Sequence, residues 1–356
     1  MILPSAQLSE VAEIIMGQAP PGDTYNKDKI GHPLIAGAGD FGADTPQPKR
    51  HTTAAGKISS KGDIVMCIRA TIGDLNWSDD EYCLGRGVAA LRVDKTIVDS
   101  KYLWWVLDFN KKTLMNLGRG ATFKQINRGD IKNFEIPLPP MAEQKRIAGI
   151  LDQADALRRA RARALEKLNG LGQSIFYDMF GGGAGEMQKL TEFFNFTTGK
   201  LDSNAAKEGG CYPFFTCAKE DFEIDEYAFD QEALLLAGNN ASADYSVKYY
   251  SGKFNAYQRT YVINLQDETD SYLYAKLALQ NKLLELKHVS KGSNTKYLTM
   301  KIFERMEILK PCKEKQKTFE RKFLSLETII KAQKVALLNH ENMFSALQQR
   351  AFRGEL

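Results

Sequence analysis

Apolar residues recur at alternating spacings of four and three along one segment in the middle of the chain. The series comprises Ile147, Leu151, Ala154, Arg158, Arg161, Leu165, Leu168, Gly172, Ile175 and Met179, with two arginines and a glycine as irregular members. This spacing is typical of a coiled-coil seam on one face of a helix. Pro139 and Pro140 precede the segment and Gly181 follows it. Since prolines favour helix starts and glycines favour helix ends, the pattern predicts one long helix.

The same series appears again, 172 residues further along the chain. It comprises Phe319, Phe323, Leu326, Ile330, Gln333, Leu337, His340, Phe344, Leu347 and Ala351. The offset also holds outside the series, because Gln144 matches Gln316 and Phe180 matches Phe352. Two unrelated amphipathic helices would not keep one register across so many features. We therefore predict a tandem duplication in which each half is a globular part followed by a long helix.

Short apolar runs, separated by turn residues, fill both globular parts. The expected elements are strands at 64–68, 88–93 and 134–138 and a helix at 102–114, then a strand at 233–237 and a helix at 271–286. The expected fold class is therefore α+β, with two tandem bodies of mixed α/β structure. The expected boundaries are 1–140 and 183–310 for the bodies and 141–182 and 311–356 for the helical segments.

Composition places few limits on the function. At 356 residues the chain is long enough for two or three domains with buried cores. The net charge is only +4, so a nucleic-acid partner would have to meet local patches of positive charge. No run of 18 apolar residues is present, and the N-terminus lacks the pattern of a secretory signal. We therefore expect a cytoplasmic protein without a transmembrane helix.

The five cysteines do not form a recognisable framework. They are Cys67, Cys83, Cys211, Cys217 and Cys312, an odd number without a CxxC pair. Such cysteines are expected to be reduced core thiols. Cys211 and Cys217 are close enough in sequence to share a metal, but no second pair and no nearby histidine supports a site. We therefore predict no metal site.

Motifs of common enzymes are missing from the sequence. Residues 37–42 fit G-x-G-x-x-G, but prolines follow at once where a dinucleotide fold needs a helix, so a flexible loop is expected. There is no P-loop, no HExxH and no G-x-S-x-G. An Asn/Asp-Pro-Pro-aromatic tetrapeptide, which amino-methyltransferases use to hold a base amine, is also missing. We expect no catalytic residues in this chain.

Two loops rich in hydrogen-bond donors are the strongest functional signal. They lie at equivalent points of the two halves and supply Arg119, Thr122, Lys124 and Gln125 in the first and Lys291, Ser293, Asn294 and Lys296 in the second. Arginine and lysine neutralise phosphates, and arginine, asparagine and glutamine pair with base edges. A solvated loop is the alternative for either one alone. Their recurrence at the same point of both halves favours a nucleic-acid interface.

Three shorter polar clusters follow apolar runs and are candidates for the same interface. They are Arg69 with Thr71, Asn239 with Asn240, and Tyr257 with Gln258 and Arg259. Side chains of these types can stack on bases or bond to them. Simple turn chemistry is the alternative for each cluster.

Three segments resemble the specificity (S) subunits of Type I restriction-modification enzymes. The first is Pro-Leu-Pro-Pro-x-x-Glu-Gln-x-x-Ile at 137–147, continued by Ile-Leu-Asp at 150–152. The second is Phe-Asn-Ala-Tyr-Gln-Arg-Thr-Tyr-Val at 254–262, and the third is the end of the chain, Gln-Arg-Ala-Phe-Arg-Gly-Glu-Leu. The resemblance extends over the whole chain. One departure is at the second helix, where Lys315 replaces the glutamate of the motif.

The resemblance implies a fold and a function. Each body would be a target recognition domain that reads half of a split site in double-stranded DNA, and the helices would pack as an antiparallel coiled coil that acts as a spacer. Two methyltransferase (M) subunits would dock on the helical regions and recognition domains, with Glu143, Gln144, Ile147 and Gln316 as candidate contacts, and restriction (R) subunits could join. This chain would bind no cofactor, while its partners would use S-adenosylmethionine, ATP and Mg²⁺. The methylated atom would be N6 of adenine.

Three other interpretations stay open at this point. The chain could be the recognition module of another phage-defence methyltransferase system, or a coiled-coil scaffold without nucleic-acid function. It could also be a self-contained methyltransferase, which would require the isolated chain to bind a cofactor. Charge reversal in the donor-rich loops separates the scaffold from the DNA-binding interpretations, because only the latter predict weaker and more salt-sensitive DNA binding.

Overall fold

A computed structural model describes residues 3–120, 123–183, 185–240, 245–283 and 296–356. The chain forms two compact units. Unit 1 comprises residues 1–162 and 336–356, and unit 2 comprises residues 163–335. Each unit therefore contains one body and part of both long helices. The predicted segments instead divide the chain into a body, a helix, a second body and a second helix.

The body of unit 1 consists of short strands and short helices. Its strands are β1 (Ser5–Gln7), β2 (Ala12–Met16), β3 (Tyr25–Asn26), β4 (His32–Ile35), β5 (His51–Thr52), β6 (Ile58–Ser59), β7 (Ile64–Cys67), β8 (Leu75–Trp77), β9 (Tyr82–Leu84), β10 (Val88–Val93) and β11 (Glu135–Pro137). Its α-helices are Leu8–Val11, Ser100–Phe109, Lys111–Asn116 and Arg128–Lys132. The expected strands at 64–68, 88–93 and 134–138 are therefore present.

Two sheets form the main part of this body. One has the order β2-β10-β7-β8 and the other β3-β5-β4-β9-β6, in which β4 and β9 run parallel. Strand β7 is buried on both faces: Ile64 and Met66 pack into the larger apolar cluster, and Val65 and Cys67 into the smaller one. A strand buried on both faces needs a continuous apolar run, which is why 64–68 is apolar without alternation.

The body of unit 2 repeats this plan. Its strands are β12 (Glu186–Lys189), β13 (Phe194–Thr198), β14 (Tyr212–Phe215), β15 (Phe222–Ile224), β16 (Phe229–Ala237), β17 (Asn239–Asn240), β18 (Val247–Ala256), β19 (Thr260–Leu265), β20 (Lys296–Tyr297) and β21 (Glu307–Lys310). Its helices are Leu190–Phe193, Tyr272–Asn281 and Met300–Phe303. The order β13-β19-β16-β18 corresponds to β2-β10-β7-β8. Strand β18 is long and also pairs in parallel with β14, as β9 pairs with β4, so it takes the place of both β8 and β9. The duplication read from the sequence is therefore a duplication of topology.

The helix expected at 102–114 is interrupted. It begins at Ser100, where the Asp99 side chain accepts hydrogen bonds from the backbone N–H groups of Lys101 and Tyr102, and it ends at Phe109. Asn110 separates it from the next helix, and its side-chain amide donates to the carbonyl of Val106 at 2.8 Å. Asparagine side chains compete with the helical hydrogen bonds of the backbone in this way. Apolar periodicity does not show such a break.

The two long helices span Met141–Phe180 and Lys313–Arg353, so they begin 172 residues apart as the repeat predicts. All twenty predicted seam residues are buried or half-buried. In unit 1, the start of the first helix lies beside the end of the second, since the Arg146 guanidinium donates to the backbone carbonyl of Leu356 at 2.8 Å. In unit 2, Phe180 at the end of the first helix packs on Phe319 near the start of the second, with ring centroids 5.5 Å apart. The antiparallel packing is confirmed.

Two of the three irregular members of the seam, Gly172 and Arg158, have structural explanations. A Cβ atom at Gly172 would lie 3.0 Å from a ring carbon of Phe323, so glycine makes room for that ring in unit 2. In unit 1, the Arg158 guanidinium lies 5.1 Å from the Phe344 ring centroid and donates to Asp155 at 2.6 Å. The charge is thereby paired while the arginine stem covers apolar surface.

The expectation that all five cysteines are core thiols is wrong in part. Cys67 and Cys83 are buried, but Cys211 and Cys312 are exposed and Cys217 is half-buried. Cys312 lies at the start of the second long helix, and Cys211 directly precedes β14. Among the described residues, no helix is long and apolar enough to cross a membrane.

Candidate nucleic-acid interface

Two polar segments of unit 1 meet where strand β7 ends. Arg69 follows β7 and forms an antiparallel bridge with Gln125 of the donor-rich loop. The backbone N–H of Ile126 donates to the carbonyl of Ile68 at 3.0 Å, and that of Ala70 donates to the carbonyl of Lys124 at 3.0 Å. The fold thus brings together two clusters that are more than fifty residues apart in the sequence.

The Arg69 side chain is held in place but not neutralised. Its guanidinium carbon lies 5.6 Å from the centre of the Phe123 ring, a cation–π contact. Within the described residues, no hydrogen-bond acceptor and no carboxylate pairs with this guanidinium. Ala70 follows with φ of 64°, a left-handed conformation that few residues other than glycine adopt. Strain of this kind is often found at functional sites.

Thr71 lies in the same turn, directly above a buried thiol. The thiol belongs to Cys67, the last residue of β7. Burial raises the pKa of the Cys67 thiol to about 12. The thiol is therefore protonated at neutral pH, and a protonated thiol is a weak nucleophile.

The remaining predicted residues of the first loop differ in their pairing. Arg119 bonds by its backbone to Gln125 and by its guanidinium to Asp130 at 3.0 Å. Lys124 is exposed and forms no ion pair with another described residue. The Arg119 side chain is 71% exposed, so it can reach a phosphate in solution as well as Asp130. Thr122 lies outside the described residues.

The sequence reading did not single out Arg86, which belongs to the same surface. It is exposed between Gly85 and Gly87, in the short connection from β9 to β10. The backbone N–H of Ile68 donates to the carbonyl of Gly87 at 2.9 Å, so Arg86 lies beside the turn that carries Arg69. The available signal was an arginine flanked by two glycines between two apolar runs.

Unit 2 has the same arrangement at the end of strand β16. The backbone N–H of Leu298 donates to the carbonyl of Gly238 at 2.8 Å, as Ile126 donates to Ile68 in unit 1. The backbone N–H of Gly238 donates to the carbonyl of Arg259 at 2.7 Å, as Ile68 donates to Gly87. Asn239 is paired with Tyr297, as Arg69 is paired with Gln125. Asn239 is thus the structural equivalent of Arg69.

An open cavity of about 400 Å³ lies at this point of unit 2. Asn239, Gln258, Arg259, Tyr261 and Tyr297 are among its lining residues. The side-chain oxygen of Asn239 is buried, and no described residue donates a hydrogen bond to it. Leaving a buried acceptor unpaired costs roughly 1–3 kcal/mol, and functional sites are one place where such groups are retained.

The other predicted residues of unit 2 lie around this cavity where they are described. Gln258 is exposed, and its side chain donates to Asp202 at 3.3 Å. Tyr257 is half-buried and forms a parallel β-bridge with Leu201. Asn240 and Lys296 pair through their backbones. Lys291, Ser293 and Asn294 lie outside the described residues.

Three of the four residues expected to bind a partner are instead buried inside their own units. Gln144, Ile147 and Gln316 are each 1% exposed, whereas Glu143 is half-exposed and paired with Arg146. Gln144 accepts from the backbone N–H of Asp99 at 2.8 Å and donates to the carbonyl of Pro139 at 2.8 Å. Gln316 makes the equivalent bonds to Ser271 and Pro311. These glutamines attach each long helix to its body, so their side chains are not available to a partner.

We expect Gln144→Ala to destabilise unit 1 by about 2–3 kcal/mol, because it leaves buried backbone groups without a partner. All three tryptophans (Trp77, Trp104 and Trp105) belong to unit 1, so tryptophan fluorescence during urea unfolding measures this unit alone. Lys145→Ala, an exposed change one residue away, is the control and should leave the midpoint unchanged. Equal midpoints for both variants would contradict the structural role of Gln144.

Within the described residues, no group of three or more His, Cys, Asp or Glu side chains is placed to hold a metal ion. The side chains gathered at the two strand ends are donors, amides and aromatic rings. Such side chains bind anions and base edges, while general acid–base chemistry needs titratable groups in close pairs. The geometry therefore favours recognition at these sites.

Comparison with known proteins agrees with this geometry. The sequence profile described as Type I restriction modification DNA specificity domain matches residues 5–168 and again 185–339. The MjaX type I restriction enzyme specificity subunit of Methanocaldococcus jannaschii is 37% identical over 156 residues, which are 44% of this chain and 37% of that protein. The EcoDI specificity subunit of Escherichia coli is 35% identical over 172 residues, which are 47% of this chain and 38% of that protein. The matched segments thus span little more than a third of these relatives.

Two solved structures share the fold over nearly the whole chain. One is a Type I restriction-modification S subunit from M. genitalium, with a TM-score of 0.62, 16% identity and coverage of 98% of this chain and 96% of that one. The other comes from a study of assembly and conformational transition of the type I restriction-modification system, with a TM-score of 0.65, 16% identity and coverage of 100% and 98%. The two profile matches cover most of the chain, one in each half, and the chain therefore belongs to the family of Type I restriction-modification DNA specificity domains.

Proposed function

We propose that this chain is the DNA-recognition subunit of a Type I restriction-modification complex. Each body reads one half of a split site in double-stranded DNA. The chain contributes no catalytic residue, and chemistry is left to the subunits that it positions on the DNA. The family to which the chain belongs supports this assignment.

The observation that carries the proposal is that the same site occurs on both bodies. We call it the donor site, and it comprises the residues that follow β7 or β16 and the segment paired with them. In each body, the segment after a buried strand pairs with a later segment of the chain through the same backbone bonds, which are Ile126 to Ile68 and Leu298 to Gly238. The backbone frame is the same, but the side chains differ: Arg69 in one body and Asn239 in the other. Two bodies with the same backbone arrangement but different side chains suit a protein that reads two different half-sites.

The side chains also fit the two tasks of a DNA-binding protein. Lys124 and Arg86 are exposed charges that suit phosphates, which supply most of the affinity but carry no sequence information. Arg69, Asn239 and Gln258 have forked donors or amides that suit base edges. A scaffold without nucleic-acid function would not need such side chains at the same point of both bodies.

The proposal includes partners that bind away from the donor sites. Two methyltransferase subunits, using S-adenosylmethionine, would methylate adenine at N6, and restriction subunits would use ATP and Mg²⁺. Exposed apolar side chains on the long helices support a protein partner there: Leu157, Tyr177, Leu324, Val335 and Leu338 are each more than 40% exposed. Isolated exposed apolar side chains are common, but these five on two helices give a partner considerable apolar surface.

Mapping of N6-methyladenine across a genome tests the proposal. Cells that carry the partner methyltransferase gene are compared with and without the gene for this chain. We expect a split motif that is methylated only when this chain is present. An unchanged pattern of methylation in cells that express all subunits would contradict the proposal.

A further inference from the structure

Arg69 and Asn239 occupy equivalent positions, and their side chains suggest different bases. The equivalence rests on backbone bonds on both sides of each residue. Ile68 and Gly238 donate to the carbonyls of Gly87 and Arg259, and they accept from Ile126 and Leu298. A side chain at this position is therefore presented from the same backbone frame in both bodies.

Arg69 is prepared to form a forked pair of hydrogen bonds. Its guanidinium carbon lies over the Phe123 ring, and no described residue occupies its donors. Arginine pairs in this way with O6 and N7 of guanine, the most common specific contact in the major groove. By contrast, Arg119 in the same loop is paired with Asp130. Arg69 is thus the better candidate for a base contact and Arg119 for a phosphate contact.

Asn239 presents an amide in the cavity of unit 2. Its oxygen is buried without a donor, and a base with an exocyclic amino group would supply one. The terminal torsion of asparagine is broad, so the amide can turn toward a base while its backbone stays paired with Tyr297. Asparagine forms two hydrogen bonds with adenine: its side-chain oxygen accepts from N6–H, and its side-chain N–H donates to N7. No other base offers an amino donor beside N7 in the major groove.

We propose that Arg69 and Asn239 are the corresponding base-reading residues of the two bodies, Arg69 specifying a guanine in one half-site and Asn239 an adenine in the other. This inference rests on the proposed function, since it assigns base contacts within the same donor sites. It goes further in naming one residue and one base for each half-site. It also predicts that the two positions act independently, because each residue contacts only its own half-site.

The test uses the complex of the full chain with its methyltransferase subunits and a library of DNA duplexes. The duplexes carry the mapped split site with both half-sites randomised one position at a time. We expect Arg69→Ala to lower the preference for guanine at one position roughly ten- to hundred-fold. Asn239→Ala should lower the preference for adenine at one position of the other half-site by a similar factor. All other positions should keep their preferences.

Conservative variants guard against simple loss of folding. Arg69→Lys keeps the charge but not the forked donors, so guanine preference should fall while overall affinity is largely retained. Asn239→Asp keeps the shape but only accepts, so the preferred base should change from adenine toward cytosine. Lys61→Ala, an exposed change at the opposite end of β7, should leave every preference unchanged.

The outcomes separate this inference from the proposed function. If the unaltered complex methylates no split motif, the proposed function fails. If it does, and the Arg69 and Asn239 variants keep every base preference, the inference alone is overturned. It is also overturned if both variants relax the same half-site, or if the relaxed positions are not a guanine and an adenine.

Discussion

The double variant Arg86→Glu/Lys124→Glu should bind its DNA site at least roughly thirty-fold more weakly than the unaltered chain. A unit charge about 4 Å from a phosphate is worth ~1 kcal/mol in water, and two lost contacts give ~2 kcal/mol before repulsion is counted. The slope of log affinity against log salt should also fall by about 1.8, since each lost phosphate contact removes ~0.9. Both quantities are measured by fluorescence anisotropy with the complex of the full chain and its methyltransferase subunits, over a series of salt concentrations.

These two residues are chosen because the structure leaves their charges unpaired within the described part of unit 1. Arg119 is less suitable, because its reversal would place a glutamate beside Asp130 and disturb the loop. The control is Lys61→Glu/Lys95→Glu, which changes the net charge equally at the opposite end of β7 and β10. If both double variants lose the same affinity, net charge alone matters and the donor site is not the interface.

Removal of one heptad from each long helix should shorten the gap between the half-sites by about three base pairs. Residues 165–171 and 324–330 are suitable, because they adjoin Gly172 and Phe323, which face each other in unit 2. Seven residues at about 1.5 Å per residue shorten a helix by ~10 Å, and one base-pair step is ~3.4 Å. Heptad removal keeps the seam in register. Methylome mapping measures the gap, and the bases of the two half-sites should not change.

A change of three base pairs also rotates one half-site by about 100° around the DNA axis. Methylation would be lost if the complex cannot follow this rotation, and insertion of the same heptads would then be expected to fail as well. The control exchanges residues 165–171 with 337–343, which hold the same places in the seam, so it alters the sequence but not the length and should preserve the original gap. A shortened chain that methylates with the original gap would show that the helices do not set the spacing.

Features that depend on local, repeated patterns can be predicted from the amino-acid sequence. The seam and the 172-residue offset predicted two long helices that begin at equivalent points, and both are present. Such patterns can be recognised because residues three or four positions apart lie on the same face of a helix. Each further apolar residue at this spacing therefore supports the same helix. The donor-rich loops were found in the same way, since they recur at the same point of each half.

Long-range packing determines which polar residues lie together and which are buried. Arg69 and Gln125 meet through a bridge between distant segments, and Arg86 joins them from a third connection. No local pattern encodes such pairings, because they depend on the order of strands in the sheet. Burial of Gln144 was hidden for a related reason: a polar residue in the first turn of a helix is read as exposed unless its hydrogen-bond partners are known. Local sequence patterns therefore specify the long helices and the repeat, whereas long-range packing determines which side chains are exposed at the candidate interface and which are buried between helix and body.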